Sequence, residues 1–237
     1  MEYIRTDQKT KFSVAPLMLD MGHFFSNFIP IDNSNLYIRF LNKIKNHLDD
    51  IIFSSLNYDL LFELSVKKIG LDIDYYGKNK VILLKLHGSC NFLLPKGISI
   101  IDVKIGINNF INTTEFEIGT AEEVREYCKS NNSIPPIMSI YMRNKPFIGT
   151  SDRIKQINQE WIRQISKADK ILIIGVKPNP DDKHIWDYIS AANAEVGYIG
   201  DKDQFEIWKN QFRKNKNNRY LGKYWNDSFN KSISFLS

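Results

Sequence analysis

Residues 151–199 alternate between two periodicities, and that alternation restricts the fold more than any other feature of the chain. From Ser151, the residues Ile154, Ile157, Trp161, Ile165 and Ala168 recur at the spacing of one helix face. Residues 170–176 then form an apolar strand ending near Gly175, followed by a helical segment at 181–190 and a second strand at 195–199. Helix, strand, helix, strand at this spacing is the order expected of a parallel sheet, so the pattern predicts an α/β fold. Trp161 sits in the apolar stripe of its helix and reads as core.

A second stretch, residues 51–89, repeats the theme with a difference in its strand ends. One short apolar strand ends in Asn57-Tyr58-Asp59. After an amphipathic helix, a second apolar strand ends in His87-Gly88-Ser89. In an open α/β sheet, ligands bind outside the carboxyl ends of the strands, so two polar triplets about thirty residues apart can face one pocket. Asp59 reads equally well as the N-cap of the helix that follows, because its carboxylate can accept from the free N–H groups of the first turn. Gly88 lets the backbone turn tightly beside a ligand.

The two triplets in this order resemble the sirtuin-like (Sir2) family, whose core carries an Asn-x-Asp motif and then a His-Gly motif. Residues 171–176, followed by Asp181-Asp182 and His184-Ile185-Trp186, are similar to a later segment of the same family. The likeness spans roughly residues 12 to 200 and is nearer to the bacterial NAD-hydrolysing branch than to the zinc-bearing deacylases. It implies a Rossmann-like parallel sheet with helices on both faces, one domain over residues 12–237, and a small inserted cap at about 90–145. It also implies that NAD is the substrate, cleaved at the nicotinamide–ribose bond. Asn57 would position water or the ribose, Asp59 would hold the carboxamide, and His87 would act at the ribose hydroxyls. Ser13, Tyr58, Gly88, Gly175, Val176, Gly200 and Asp201 would stand on the cofactor side. The alternatives are a module that binds NAD or ADP-ribose without turnover and, ranked lower, a protein deacylase. The family's bacterial members often serve anti-phage defence, which implies a homo-oligomer or a separate sensor subunit as partner.

The beginning of the chain departs from the pattern. Family members carry a strand and a glycine-rich loop ahead of the first helix, where backbone N–H groups meet the dinucleotide phosphates at the positive end of a helix dipole. No such loop precedes the helix read over residues 12–25, so either the phosphate site is degenerate or the sequence is truncated. Pro16 suits the first turn of that helix, and Leu17, Met21, Phe24 and Phe25 recur at helical spacing. His23 in this helix and His47 on the rim of the next read as structural.

Cys90 and Cys128 are the two cysteines, far apart and neither in a Cys-x-x-Cys pair. They cannot complete a four-ligand structural zinc site or a secreted disulfide framework, so the expectation is no metal, a reducing cytosol and no deacylase-type zinc module. No apolar run approaches a membrane span. With 32 Lys+Arg against 27 Asp+Glu, the net charge of +5 is too mild to argue for direct nucleic-acid binding. The one basic cluster, Arg213-Lys214-Asn215-Lys216, reads as a solvated face or loop.

The remaining elements follow from local signals. Asp32-Asn33-Ser34 predicts an N-cap for a helix with Leu36, Phe40, Ile44 and Leu48 on one face. Gly70 is read as the stop of a helix over 60–68, with a central strand over 80–86. Thr120, with Glu122-Glu123 in the first turn, predicts a helix over 120–129, and Pro135-Pro136 forces residues 133–141 to be extended. Residues 204–237 read as one helix carrying Phe205, Trp208 and Phe212, then a loose aromatic tail.

Overall fold

A computed structural model describes residues 14–32, 34–75, 81–95, 103–104, 110–113, 115–130, 134–139, 150–179 and 181–237. In chain order the elements are α1 (Val14–Phe25), α2 (Leu36–Ile44) continued by a 3-10 helix (Lys45–Asp50), β1 (Phe53–Ser55) and α3 (Leu61–Lys68). Then come β2 (Ile73–Asp74), β3 (Val81–Lys85), β4 (Phe92–Leu93), β5 (Val103–Lys104), β6 (Phe110–Thr113), β7 (Glu117–Ile118) and α4 (Ala121–Lys129). The last are β8 (Thr150–Ser151), α5 (Asp152–Lys167), β9 (Lys170–Ile174), α6 (Lys183–Ala191), β10 (Glu195–Ile199), α7 (Lys202–Phe212), β11 (Asn218–Gly222) and α8 (Phe229–Leu236). The chain divides into two compact units, one of residues 1–30, 55–64 and 85–156, the other of residues 31–54, 65–84 and 157–237.

In the first unit α1 packs on α4. α4 starts with a capping box: Glu123 N–H donates to the Thr120 hydroxyl, and the Thr120 N–H donates to the Glu123 carboxylate. Met18, Leu60, Cys90, Leu93, Val124 and Met138 form the core, with Met21 and Phe25 against it. This corrects the apolar stripe expected of α1, because Leu17 and Phe24 are exposed and Met18 takes the inward position. The helix ends at Phe25, and the carbonyl of Ser26 just beyond it accepts from the Arg125 guanidinium. The segment 90–145 lies within this unit. Its strands are short: β4 pairs antiparallel with β7, and β6 pairs with β5 antiparallel and with β8 parallel.

In the second unit β9, β10 and β11 form a parallel sheet in the order β11-β10-β9. β9 and β10 run in register from Lys170 opposite Glu195 to Ile174 opposite Ile199. A second sheet has the order β1-β3-β2, with β2 parallel to β3. The fold is α/β with parallel sheets, as the alternation predicts, but the parallel strands are shared between short three-stranded sheets. The first expected strand shrinks to Phe53–Ser55.

Helix ends decide several details. α2 is capped by Asn35, whose side chain accepts from the Tyr37 N–H at 2.9 Å, and not by the 32–34 cluster. Asp32 instead accepts from the Ser34 N–H at 2.7 Å, and bonding with Ser34 lowers its pKa from the ordinary value. Gly70, at φ +79, ends α3 as expected: its N–H donates to the Lys67 carbonyl while Leu71 N–H reaches the Val66 carbonyl.

The tail is built, not loose. β11 adds a third parallel strand, and α8 packs on α2 and β9. Phe229 of α8 lies under Arg39 at 4.7 Å and near Phe40. Phe205 stacks on Tyr198 at 4.7 Å and Trp208 meets Trp186 edge to face, while Phe212 is exposed. The basic cluster is a loop with Lys214 and Asn215 exposed, as one reading has it, but Arg213 and Lys216 are not simply solvated. Arg213 is 1 % exposed, and its guanidinium donates to the carbonyls of Ile189, Ala192 and Ala194 and to the Asn218 side chain. Lys216 donates to the carbonyls of Ser190, Ala191 and Ala192. Together they satisfy carbonyls that the end of α6 leaves without helical partners.

Candidate functional site

The two polar triplets lie in the first unit and are bonded to each other. Past β1, Asn57 N–H donates to the Ser55 hydroxyl at 3.1 Å, and Asp59 Oδ1 accepts from the Leu61 N–H at 3.0 Å. Asp59 therefore does cap α3, as one of its two readings expected. A carboxylate has about four acceptor positions in all, so a single backbone bond leaves it further capacity. Past β3, the Cys90 N–H donates to the Tyr58 carbonyl at 3.0 Å, and the Ser89 hydroxyl approaches the same oxygen at 3.4 Å. Lys85, the last residue of β3, donates from Nζ to the Asp59 carbonyl at 2.8 Å. Residues some thirty positions apart thus form one loop pair.

A third strand of chain locks the pair. Residues 134–139 cross over it: Ser139 N–H donates to the His87 carbonyl at 2.8 Å, and Ser89 N–H donates to the Ile137 carbonyl at 3.0 Å. Gly88 bridges Met138 at φ +78, where a Cβ would lie 2.1 Å from the Ile137 carbonyl oxygen. That position admits glycine and no other residue without a shift of the main chain. The Tyr58 hydroxyl donates to the Ser139 carbonyl, and burial raises its pKa above the ordinary value. Residues 134–139 are extended as their prolines require. Tyr141, the end of that expected segment, lies outside the described residues.

Across this arrangement Asn57 is exposed, Tyr58 and Asp59 are half-buried, and His87 is 8 % exposed. Of the three groups the amide is thus the most exposed and the imidazole the most buried. Cys90 is fully buried, and burial pushes its thiol up to about 12 against the opposing pull of Lys85. Cys128 is pushed up to about 11 for the same reason. Neither thiol has the lowered pKa that a nucleophile needs.

The other candidates lie in the second unit, at the carboxyl ends of β9 and β10. Gly175 takes φ +70 and donates its N–H to the Ile199 carbonyl at 2.8 Å, with open space where a Cβ would stand. Val176 follows it. Gly200 N–H donates to the Gly222 carbonyl at 2.9 Å, and Asp201 caps α7 by accepting from the Gln204 N–H at 2.9 Å. Gly222 completes a row of glycines just past or at the ends of three neighbouring parallel strands. Sequence reasoning missed it because β11 was unread.

Gly175, Val176, Gly200 and Asp201 are therefore gathered in one unit, and Asn57, Tyr58, Asp59, His87 and Gly88 in the other. Ser13 lies outside the described residues. Asp181 is exposed, and the N-cap position of α6 falls to Asp182. Lys85 is the functional candidate that the sequence reading passed over: a lysine inside an otherwise apolar strand was the available signal.

A cavity of about 290 Å³ in the second unit is lined by Lys45, Leu48, Asp49, Gly70, Leu71, Asp72 and Val81. It contains none of these candidates and sits at the start of β3, the end opposite to that at which α/β sheets bind ligands. Among the described residues no helix is long and apolar enough to cross a membrane, and no three His, Cys, Asp or Glu side chains are grouped to hold a metal ion. Set against known proteins, the chain matches no family model and no curated protein.

Proposed function

We propose that this chain hydrolyses the nicotinamide–ribose bond of NAD, giving nicotinamide and ADP-ribose, on a sirtuin-like version of the α/β fold. The observation that carries the reading is the bonded pair of strand-end loops. The Tyr58 carbonyl of the first triplet accepts from the Cys90 N–H, and the Ser89 hydroxyl of the second triplet approaches the same oxygen. A pure scaffold has no evident need for an amide, a carboxylate and an imidazole on adjoining strand ends.

In this reading the glycosidic bond breaks with its electron pair passing to the pyridinium nitrogen, which leaves neutral nicotinamide and an oxocarbenium-like ribose. Water then adds to the ribose carbon and loses a proton. Asn57, exposed on the loop, orients the water or the ribose. Asp59 holds the carboxamide through acceptor capacity that its capping bond does not use. His87 orients the ribose hydroxyls and takes the proton, a role suited to imidazole near neutral pH. In the second unit, Gly175, Val176, Gly200 and Asp201 stand at strand ends, where glycines let a ligand approach the backbone.

A second reading, binding of NAD or ADP-ribose without turnover, is favoured by one observation: Asp59 already spends an oxygen on the Leu61 N–H. Two measurements separate the readings. NAD turnover by the chain and by Asn57→Ala is expected to differ by at least tenfold for an enzyme. Calorimetric binding of ADP-ribose with NAD left intact after prolonged incubation would favour the binding module.

A further inference from the structure

We propose that Lys85 is the positioning residue that sets the 57–59 loop against His87, an inference that rests on the NAD-cleaving reading of that loop. Lys85 is 1 % exposed at the end of β3, between Leu84 and Leu86, which are buried as well. A buried ammonium is costly unless paired and hydrogen-bonded. Here it is both: Glu63, in the first turn of α3, lies 3.1 Å from Nζ, and the Asp59 carbonyl accepts from Nζ at 2.8 Å. One side chain therefore ties the end of a strand, the loop before a helix and the helix's first turn.

Stability does not account for such a pair, because an apolar couple of similar volume commonly holds a core equally well. What the ammonium supplies and an apolar side chain cannot is direction. It fixes the carbonyl of Asp59, hence the peptide plane after it, hence the angle at which Asp59 leaves the loop that also carries Asn57. Glu63 keeps the cation in place, and its charge suits the positive end of α3. His87 is two residues beyond Lys85 on the same chain, so the loop and the imidazole take their reference from one anchor.

The test is the double substitution Lys85→Met with Glu63→Leu, which removes both charges and strands neither. Three quantities are measured: the thermal midpoint, amide hydrogen exchange at Leu61 and Cys90, and kcat and KM for NAD. The expected result is a midpoint within a few degrees of the unaltered chain and exchange at those two amides at least tenfold faster. With it, kcat should fall by roughly a hundredfold, the cost of a misplacement of about an ångström, with KM nearly unchanged. Glu63→Gln is the second variant, for use should the double variant not fold, with a smaller change of the same kind expected. Unchanged exchange, or faster exchange with unchanged kcat, overturns the proposal. Absence of nicotinamide release by the unaltered chain would instead remove the NAD reading, and the exchange rates would still decide whether Lys85 holds the loop.

Discussion

A Cβ on Gly88 would stand 2.1 Å from the carbonyl oxygen of Ile137. The clash is with main chain, so no side-chain rotation relieves it. Gly88 also holds φ +78, a conformation that costs an L side chain about 1–2 kcal/mol. Gly88→Ala is therefore expected to lose about 2–4 kcal/mol of stability. Gly70→Ala is the control, at φ +79 with nothing near its Cβ, and should lose only the conformational cost of about 1–2 kcal/mol. Urea midpoints of the two variants check the difference.

Arg213→Met is expected to be among the most damaging single changes in the second unit. The guanidinium bonds the carbonyls of Ile189, Ala192 and Ala194 while almost fully buried, and methionine leaves those oxygens without it. A loss of about 3 kcal/mol or more follows from bonds to a charged group and the carbonyls left unmet. Arg213→Lys should recover little of it, since an ammonium lacks the planar fork of donors. Denaturant unfolding of the three proteins gives the values.

Alkaline pH should weaken the fold in a defined window. Cys90 and Cys128 are raised from an ordinary value of 9.0 to about 12 and about 11. Tyr127 and Tyr198 are raised by burial from 10.0 to about 12. Each folded group keeps its proton where the unfolded chain has lost it, so its contribution is whole below pH 9 and declines as pH rises toward 12. Stability measured by urea unfolding should be level from pH 7 to 9 and then fall. In Cys90→Ala the fall should be shallower, whatever that variant's stability at neutral pH.

Much of the fold was legible because its signals are local. The strand at 195–199 and the helix carrying Ile154, Ile157 and Trp161 are where their periodicities put them. The Thr120 cap and the acidic first turn of α4 were readable from residue types alone. β11 was not, because Asn218-Arg219-Tyr220 is polar and its place in the sheet is fixed by β10 beside it, which no window of sequence contains. The burial of Arg213 inside its loop escapes the sequence for the same reason. The carbonyls that Arg213 and Lys216 meet lie 19 to 26 residues away in the chain.

The site divides in the same manner. Asn57, Asp59, His87 and Gly88 stand out as residue types at strand ends. The steric demand at Gly88 comes from residue 137, and the hold on Asp59 comes from Lys85. Neither partner is visible from the motif. Lys85 stands out as a charge in an apolar strand, but the carbonyl it holds lies 26 residues away in the chain.

Nicotinamide release is the decisive measurement. Purified chain is incubated with NAD, and nicotinamide and ADP-ribose are followed by chromatography beside His87→Ala. The account predicts equimolar release by the unaltered chain and a loss of roughly 10²–10⁴-fold in the variant, the contribution of a positioned general acid or base. Release that persists undiminished in a folded His87→Ala protein, or NAD that stays intact with the unaltered chain, would contradict it.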